Sequence, residues 1–431
     1  MPLSAWRGEL VDFGGDAAGA DQGCRHVADG LLLVENGRIV AAGPFEALQP
    51  RLRGTPVHDA RGRILMPGFV DAHVHYPQLD VIASPAPGLL DWLERYTFPE
   101  ERRFDDPGHA AEVAGFFLDE LLRNGTTSAM VWCTVHAGSV DAIMGAARAR
   151  GMRIVAGKVL MDRHCPEGLR DTAESAYADS RALIERWHGQ GRLGYAVTPR
   201  FAPTSSPGQL AACARLLDEH PDVWLQSHLA ENADELRWVA ELFPDARSYT
   251  DVYDRFGLLR ERTVWAHGIH LDDADRARLA AAGAAIAFCP TSNLFLGSGL
   301  FDAAAADRQG LRWAPATDVG GGSSFSMLRT LAAAHDVLRL QGQALSALRA
   351  FRSVTRDAAR ALGLDERVGS FEPGREADFV ALDLAATPLL ARRTARAATL
   401  EERLFALMTL GDDRAVSQAW VAGEPMKAKE A

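Results

Sequence analysis

Between residues 65 and 364 the chain alternates, eight times over, between short apolar runs and stretches of helical period. The apolar runs fall at 65–75, 127–134, 153–161, 193–201, 223–231, 263–269, 284–290 and 312–318. Among the stretches between them, 110–124 is amphipathic and stops at Gly125, and 171–190, 206–220, 233–243, 272–282 and 323–341 behave alike. Runs that are apolar throughout belong to strands buried on both faces, as in a parallel sheet covered by helices. Eight such units predict an α/β fold, a (β/α)8 TIM barrel. An open doubly wound sheet is the rival, but no Gly-x-Gly-x-x-Gly follows the first strand and eight repeats suit closure better.

The flanks have a different period. Residues 1–66 read as short strands and turns, most clearly at 30–40, where two apolar runs flank the hairpin turn Asn36-Gly37. β character returns after Leu364, at 369–384 and 415–426, with a hairpin-like turn at 421–424. The expected organisation is a small β-sandwich domain composed of 1–66 and 365–431 beside a barrel of 67–364, with the tail 427–431 fraying. Segment 76–109 is too long for an ordinary βα loop and carries Trp92-Leu93-Glu94-Arg95-Tyr96-Thr97-Phe98-Pro99. At a barrel mouth such a segment serves as a lid or substrate wall, with a packed subdomain as the equal alternative.

Composition narrows the partners. A net charge of −11 without a long acidic or basic run argues against nucleic acid and anionic membranes as partners and says nothing sharper. Five scattered cysteines with no Cys-x-x-Cys predict reduced thiols, and the absence of a signal-like start or a membrane-length apolar run predicts a cytoplasmic protein.

A barrel carries its functional residues at the C-terminal ends of its strands, and chemistry-bearing side chains fall there. The first strand ends Asp71-Ala72-His73-Val74-His75, and alternation turns His73 and His75 to one face. The fifth ends His228-Leu229-Ala230-Glu231, the sixth at His267 and the eighth at Asp318. Imidazoles and carboxylates set in apolar strands are costly unless paired or metal-bound. One such histidine is ordinarily a satisfied core residue; four strands presenting them at one end of a barrel form a site.

On these residues the chain resembles the amidohydrolase superfamily over essentially its full length, through PGFVDAHVH at 67–75, the His228/Glu231 pair, His267 and Asp318. HYPQ at 75–78, LDWLERYTFPEE at 90–101, KVLMDR at 158–163 and TPRFAPTSS at 198–206 are similar to the guanine deaminases within it. His164 departs from that group, which has Asn after MDR; the departure bears on local loop contacts. The resemblance implies hydrolysis of guanine to xanthine and ammonia, one Zn²⁺ per subunit (Fe being the other metal considered), and a homodimer.

The roles follow from chemistry together with that resemblance. His73, His75, His228 and Asp318 offer nitrogen and oxygen ligands for one Zn²⁺, with water in the remaining position. Some superfamily members hold two metals bridged by a modified lysine, but Lys158 lies short of its strand's end and strand four ends in Arg200 and Phe201, so one metal is expected. Glu231 is placed to move a proton between water and a ring nitrogen, its bland alternative being an acid in the first turn of the next helix. Asp318 can take the second proton as ammonia leaves, and His267 can orient the attacking oxygen. Substrate recognition rests on Gln78, Trp92, Arg200 and Phe201, with His228, Glu231 and Asp318 around the reacting carbon. Arg200 suits the O6 and N7 acceptors of guanine, or pairs with a carboxylate for structural reasons. Another aminated heterocycle (8-oxoguanine, pterin, cytosine or a triazine) is the alternative substrate. A non-catalytic scaffold is the alternative class, and the complete His, Glu and Asp set argues against it.

Overall fold

The structure, a computed structural model, describes residues 2–14 and 23–426, so the expected fraying of 427–431 lies outside the described residues. Eight strands, Phe69–His75, Thr126–Trp132, Arg153–Gly157, Leu193–Pro199, Trp224–Leu229, Thr263–His267, Ala285–Phe288 and Arg312–Pro315, pair in parallel in that order. The ring closes just beyond the eighth strand, where Asp318 N donates to His73 O at 3.0 Å and His75 N donates to Val319 O at 2.7 Å. Small side chains fill the interior, among them Val70, Ala72, Val155, Ala196, Ala266 and Ala287. Leu362, Leu364 and Val368 pack against the same cluster, and Trp224 Nε1 donates to Leu362 O at 2.7 Å, which plugs the N-terminal end. The mouth at the other end is left for chemistry.

The apolar run 65–75 is not one strand. Val57–Pro67 belongs to a second sheet and Phe69–His75 to the barrel, and the chain changes sheets at Gly68. A Cβ at Gly68 would lie 2.1 Å from Thr127 Oγ1, so only glycine lets the strand pass so close to its barrel neighbour. The second sheet runs Glu424–Pro425, Val416–Val421, Phe379–Asp383, Val57–Pro67, Ser4–Phe13, Cys24–Glu35, Arg38–Pro44, so both chain ends share it. The expected sandwich is one seven-stranded mixed sheet, with an apolar cluster on each face. Trp6, Leu32, Leu65 and Phe379 gather on one face, and Ile64, Met66, Val380 and Leu382 join the main core on the other. The hairpin at Asn36-Gly37 has φ of 52° and 73°, the left-handed pair a two-residue turn requires.

A buried ion network ties this sheet to the bottom of the barrel. Arg153 donates to Glu376 at 2.7 and 2.5 Å, Arg192 Nε donates to Glu376 Oε2 at 2.9 Å, and Arg192 also pairs with Asp378. Helices absent from the sequence reading include Ala137–Arg150, Pro388–Thr394 and Leu400–Leu410, along with short ones such as Tyr249–Arg255 and Ala347–Ser353; Leu400–Leu410 carries a capping box, Thr399 with Glu402, that marks its start in the sequence. Segment 76–109 breaks into short helical turns, Tyr76–Val81, Leu89–Trp92, Leu93–Thr97, Phe98–Glu101 and Arg102–Asp105, which settle over the mouth. Leu89, Trp92, Leu93 and Phe98 cluster there with Phe201 and Leu296. No helix of the described residues is long and apolar enough to cross a membrane. All five cysteines are free thiols.

Candidate active site

His73 Nε2 and His75 Nε2 lie 3.1 Å apart at the end of the first strand. Both face Asp318 Oδ1, at 3.1 and 3.4 Å. Simple alternation from the inward-facing Val70 and Ala72 would turn His73 toward the helices; a register shift between Asp71 and Val74 re-aims the strand so that both imidazoles reach the axis. His267 and Asp318 reach the same point from left-handed backbone, φ 76° and 50°. Such conformations cost energy and persist where the surrounding fold enforces them. Asp71 accepts from Thr317 N at 3.1 Å and from Thr317 Oγ1, stitching the first strand to the segment that presents Asp318.

His228 donates Nδ1–H to Arg200 O at 2.7 Å, which turns Nε2 toward His73 and His75. Ligand atoms of these three histidines lie within 4.8 Å of one another. Burial holds all three imidazoles neutral: it pushes His75 down to about 3 and His228 well below the ordinary range, and lowers His73. Asp318 is held well below its usual value: burial works against this, and its hydrogen bonds with His73 and His75, with His267 also nearby, prevail. Neutral imidazole nitrogens and an ionised carboxylate crowded into one buried point are the states and donor types that a divalent cation requires. The donor set therefore fits one metal ion. Lys158 takes no part: its Nζ pairs with Asp171 at 2.5 Å.

Glu231 sits beside this cluster. Ser298 Oγ donates to its Oε1 at 3.0 Å, and its Oε2 is 3.3 Å from His267 Nε2. Burial, reinforced by the charge of Asp318, pushes the Glu231 carboxyl up to about 8. Its main chain is held from the next helix, where Glu235 Oε2 accepts from Glu231 N at 3.0 Å and from Asn232 N at 3.1 Å. His267 turns its Nδ1 to Asn293 Oδ1 at 2.9 Å.

These groups open into a cavity with about 400 Å³ of empty space. His75, Gln78, Trp92, Arg200, Phe201, His228, Glu231, His267 and Asp318 line it, so the fold gathers every residue named from the sequence except His73, which lies beneath. Leu89, Leu93 and Leu296 add apolar wall. Segment 76–109 is therefore a wall of the site. Trp92 lines it with a buried Nε1 that has no partner among the described residues. Arg200 Nη1 donates to both oxygens of Glu101, at 2.9 and 2.8 Å, so the carboxylate pairing is present, and the side chain still lines the cavity. Gln78 is less free than its position suggests, since Nε2 donates to Glu101 at 3.2 Å and Oε1 accepts from Gly320 N at 3.3 Å.

Glu101, Asn293, Ser298 and Asp71 were not visible as site residues in the sequence. For Glu101 a partial signal existed, because an arginine at a buried strand end needs a counter-charge. Segment 76–109 holds seven carboxylates, Asp80, Asp91, Glu94, Glu100, Glu101, Asp105 and Asp106, and sequence does not choose among them.

Comparison with known proteins agrees with this geometry. The amidohydrolase family model matches residues 64–426. Guanine deaminase of Escherichia coli K12 is 47% identical over 425 residues, 98% of this chain and 97% of that protein. The solved structure of E. coli guanine deaminase superposes with a TM-score of 0.95 at 46% identity, covering 99% of each chain. Guanine deaminase from C. acetobutylicum, solved with guanine bound in its active site, superposes at 0.90 with 28% identity, covering 98% of this chain and 99% of the other.

Proposed function

This chain belongs to the amidohydrolase family, and from that premise we propose that it is a guanine deaminase, hydrolysing guanine to xanthine and ammonia with one Zn²⁺ per subunit. The observation that carries the reading is a single cavity in which His75, His228 and Asp318, with His73 beneath them, meet both Glu231 and the open edge of Arg200. The E. coli and C. acetobutylicum relatives supply the substrate's identity.

His73, His75, His228 and Asp318 hold the metal, which when bound makes a water nucleophilic at neutral pH. The rest is done by side chains. Glu231 moves a proton between the attacking water and a ring nitrogen of the amidine, which makes the carbon bearing the amino group electrophilic. His267, steadied by Asn293, orients the incoming oxygen. Asp318 accepts the second proton, and the amino group departs as ammonia once it has been protonated.

Arg200 reads the far edge of the ring. Its Nη1 is committed to Glu101, and among the described residues Nε and Nη2 take no partner. Two donors in a fixed fork match the paired O6 and N7 acceptors of guanine. Phe201 and Trp92 supply apolar faces for the ring, and Gln78 a donor and an acceptor at its rim.

The division into a composite β unit (1–66 with 365–431) and a barrel (67–364) is part of this reading, supported by two sheets that share no strand. So are residence in the cytoplasm, which the five free thiols fit, and a homodimer, which sedimentation would test. The deciding experiment is ammonia release from guanine, adenine, 8-oxoguanine, a pterin, cytosine and a triazine, with elemental analysis of the purified protein. Guanine should be turned over far faster than the others, at one zinc per chain; a preference for another heterocycle would reject the substrate.

A further inference from the structure

Glu101 is a fully buried carboxylate that touches neither the metal ligands nor Glu231, yet it binds two of the side chains facing the substrate cavity. It ends the turn Phe98–Glu101 in the segment over the mouth. Arg200 comes to it from the end of strand four, donating at 2.9 and 2.8 Å, and Gln78 from the turn after strand one, donating at 3.2 Å. The Arg200 guanidinium also lies over the Phe98 ring, 5.3 Å from its centroid, so this one turn contacts both its charge and its face. Arg200 lies 99 residues beyond Glu101, and this carboxylate joins it to Gln78 and to the segment over the mouth.

A buried guanidinium needs a counter-charge, and two other carboxylates, Glu231 and Asp318, line the same cavity. An arginine with no fixed partner there would be drawn to them, covering the groups that carry the proton transfers. The bidentate grip of Glu101 on Nη1 holds Arg200 back and leaves Nε and Nη2 along the cavity edge. We propose that Glu101 is a positioning residue for ring recognition, setting Arg200 and Gln78 so that a purine carrying a carbonyl oxygen beside N7 is selected. The proposal rests on the guanine deaminase reading.

The test compares wild type, Glu101→Gln, Arg200→Ala and the double variant Glu101→Gln/Arg200→Ala. Readouts are KM and kcat for guanine and the inhibition constant of 2-aminopurine, which keeps the C2 amino group and has no oxygen at C6. Zinc content and melting temperature are measured in parallel. Misplacing a binding group by about an ångström costs on the order of 10²-fold. Glu101→Gln should therefore raise KM for guanine by roughly that factor with kcat within a few fold, because the contact is distant from the reacting carbon and equal in ground and transition states. Zinc content should stay at the wild-type value, and the 2-aminopurine constant should change far less than the guanine KM, since only N7 is left for Arg200 to read; the melting temperature should fall, because Arg200 keeps its buried charge without its counter-charge. On the Arg200→Ala background the second substitution should add little further loss.

An unchanged KM, a loss shared equally by guanine and 2-aminopurine, or a fully additive loss in the double variant would each overturn the proposal. If Glu101→Gln does not fold, Glu101→Ala/Arg200→Ala removes both buried charges, and it must then match Arg200→Ala in guanine KM; a further rise rejects the proposal. Wild-type protein releasing no ammonia from guanine would instead remove the functional reading itself, and is seen before any variant is made.

Discussion

Replacing Glu231 by glutamine separates proton transfer from everything else this side chain does. Ser298 Oγ donates to Oε1 at 3.0 Å, and Oε2 lies 3.3 Å from His267 Nε2. His267 is held from its other nitrogen, Nδ1 lying 2.9 Å from Asn293 Oδ1, and burial pushes the Glu231 carboxyl up to about 8. A glutamine keeps the shape: the amide oxygen accepts from Ser298 and the amide nitrogen takes the place of Oε2 beside His267. Stability should therefore change by no more than about 0.5 kcal/mol, and metal content not at all. Only the exchangeable proton is lost. General acid–base groups contribute roughly 10²–10⁴ in rate, and at about 1.36 kcal/mol per decade the barrier should rise by roughly 2.7–5.4 kcal/mol. The assay is ammonia release at saturating guanine, beside elemental analysis and a thermal melt. Turnover within about threefold of wild type would refute the shuttle. A variant that dropped its zinc, or melted well below wild type, would refute the claim that the amide keeps the shape.

His75→Ala and Asp318→Ala each remove one of four converging ligands and should lose tenfold or more in metal affinity along with activity; full zinc occupancy by elemental analysis in both would reject the ligand set. Arg200→Ala should cut kcat/KM for guanine sharply, and because Glu101 is left buried and unpaired it should also cost about 3–5 kcal/mol of stability in a denaturant titration. In the wild type adenine, which offers an amino donor where guanine offers O6, should be disfavoured by roughly 10⁴-fold; comparable rates on the two purines would overturn the assignment. Glu376→Ala strands Arg153 at the bottom of the barrel and leaves Arg192 only Asp378, and it should destabilise by about 3–5 kcal/mol while kcat of the folded protein stays put, since the clamp lies at the end opposite the mouth. Burial alone would raise the Glu376 carboxyl, but the hydrogen bond from Arg153 and the charge of Arg192 outweigh it and lower it below the ordinary 4.5. Its stabilisation is therefore present above the unfolded-state value and lost as pH falls through the depressed folded-state value. The melting gap between wild type and variant should thus narrow in acid; a gap independent of pH would reject the clamp.

What the sequence determined by itself is what periodicity and chemical cost can express. Eight fully apolar runs separated by amphipathic helices leave few architectures, and His73, His75, His228, His267 and Asp318 are conspicuous because such side chains are expensive in strands of that kind. The Asn36-Gly37 hairpin was legible because its turn depends on two adjacent residues. Tertiary structure decided what depends on partners distant in sequence. The run 65–75 is locally continuous, and only the approach of Thr127 to Gly68 shows why it is divided between two sheets. Leu400–Leu410 lies in a region whose flanks read as β, and packing set its place once Thr399 and Glu402 capped it. The register shift between Asp71 and Val74 and the left-handed turns at His267 and Asp318 aim the metal-facing side chains, yet leave no mark in a single sequence because ring closure imposes them. Glu101 and Arg200 are 99 residues apart, and seven carboxylates in segment 76–109 were equally eligible as partner. Choosing among them takes ångström-scale geometry, because a buried charge pair stabilises only where direction and distance are right.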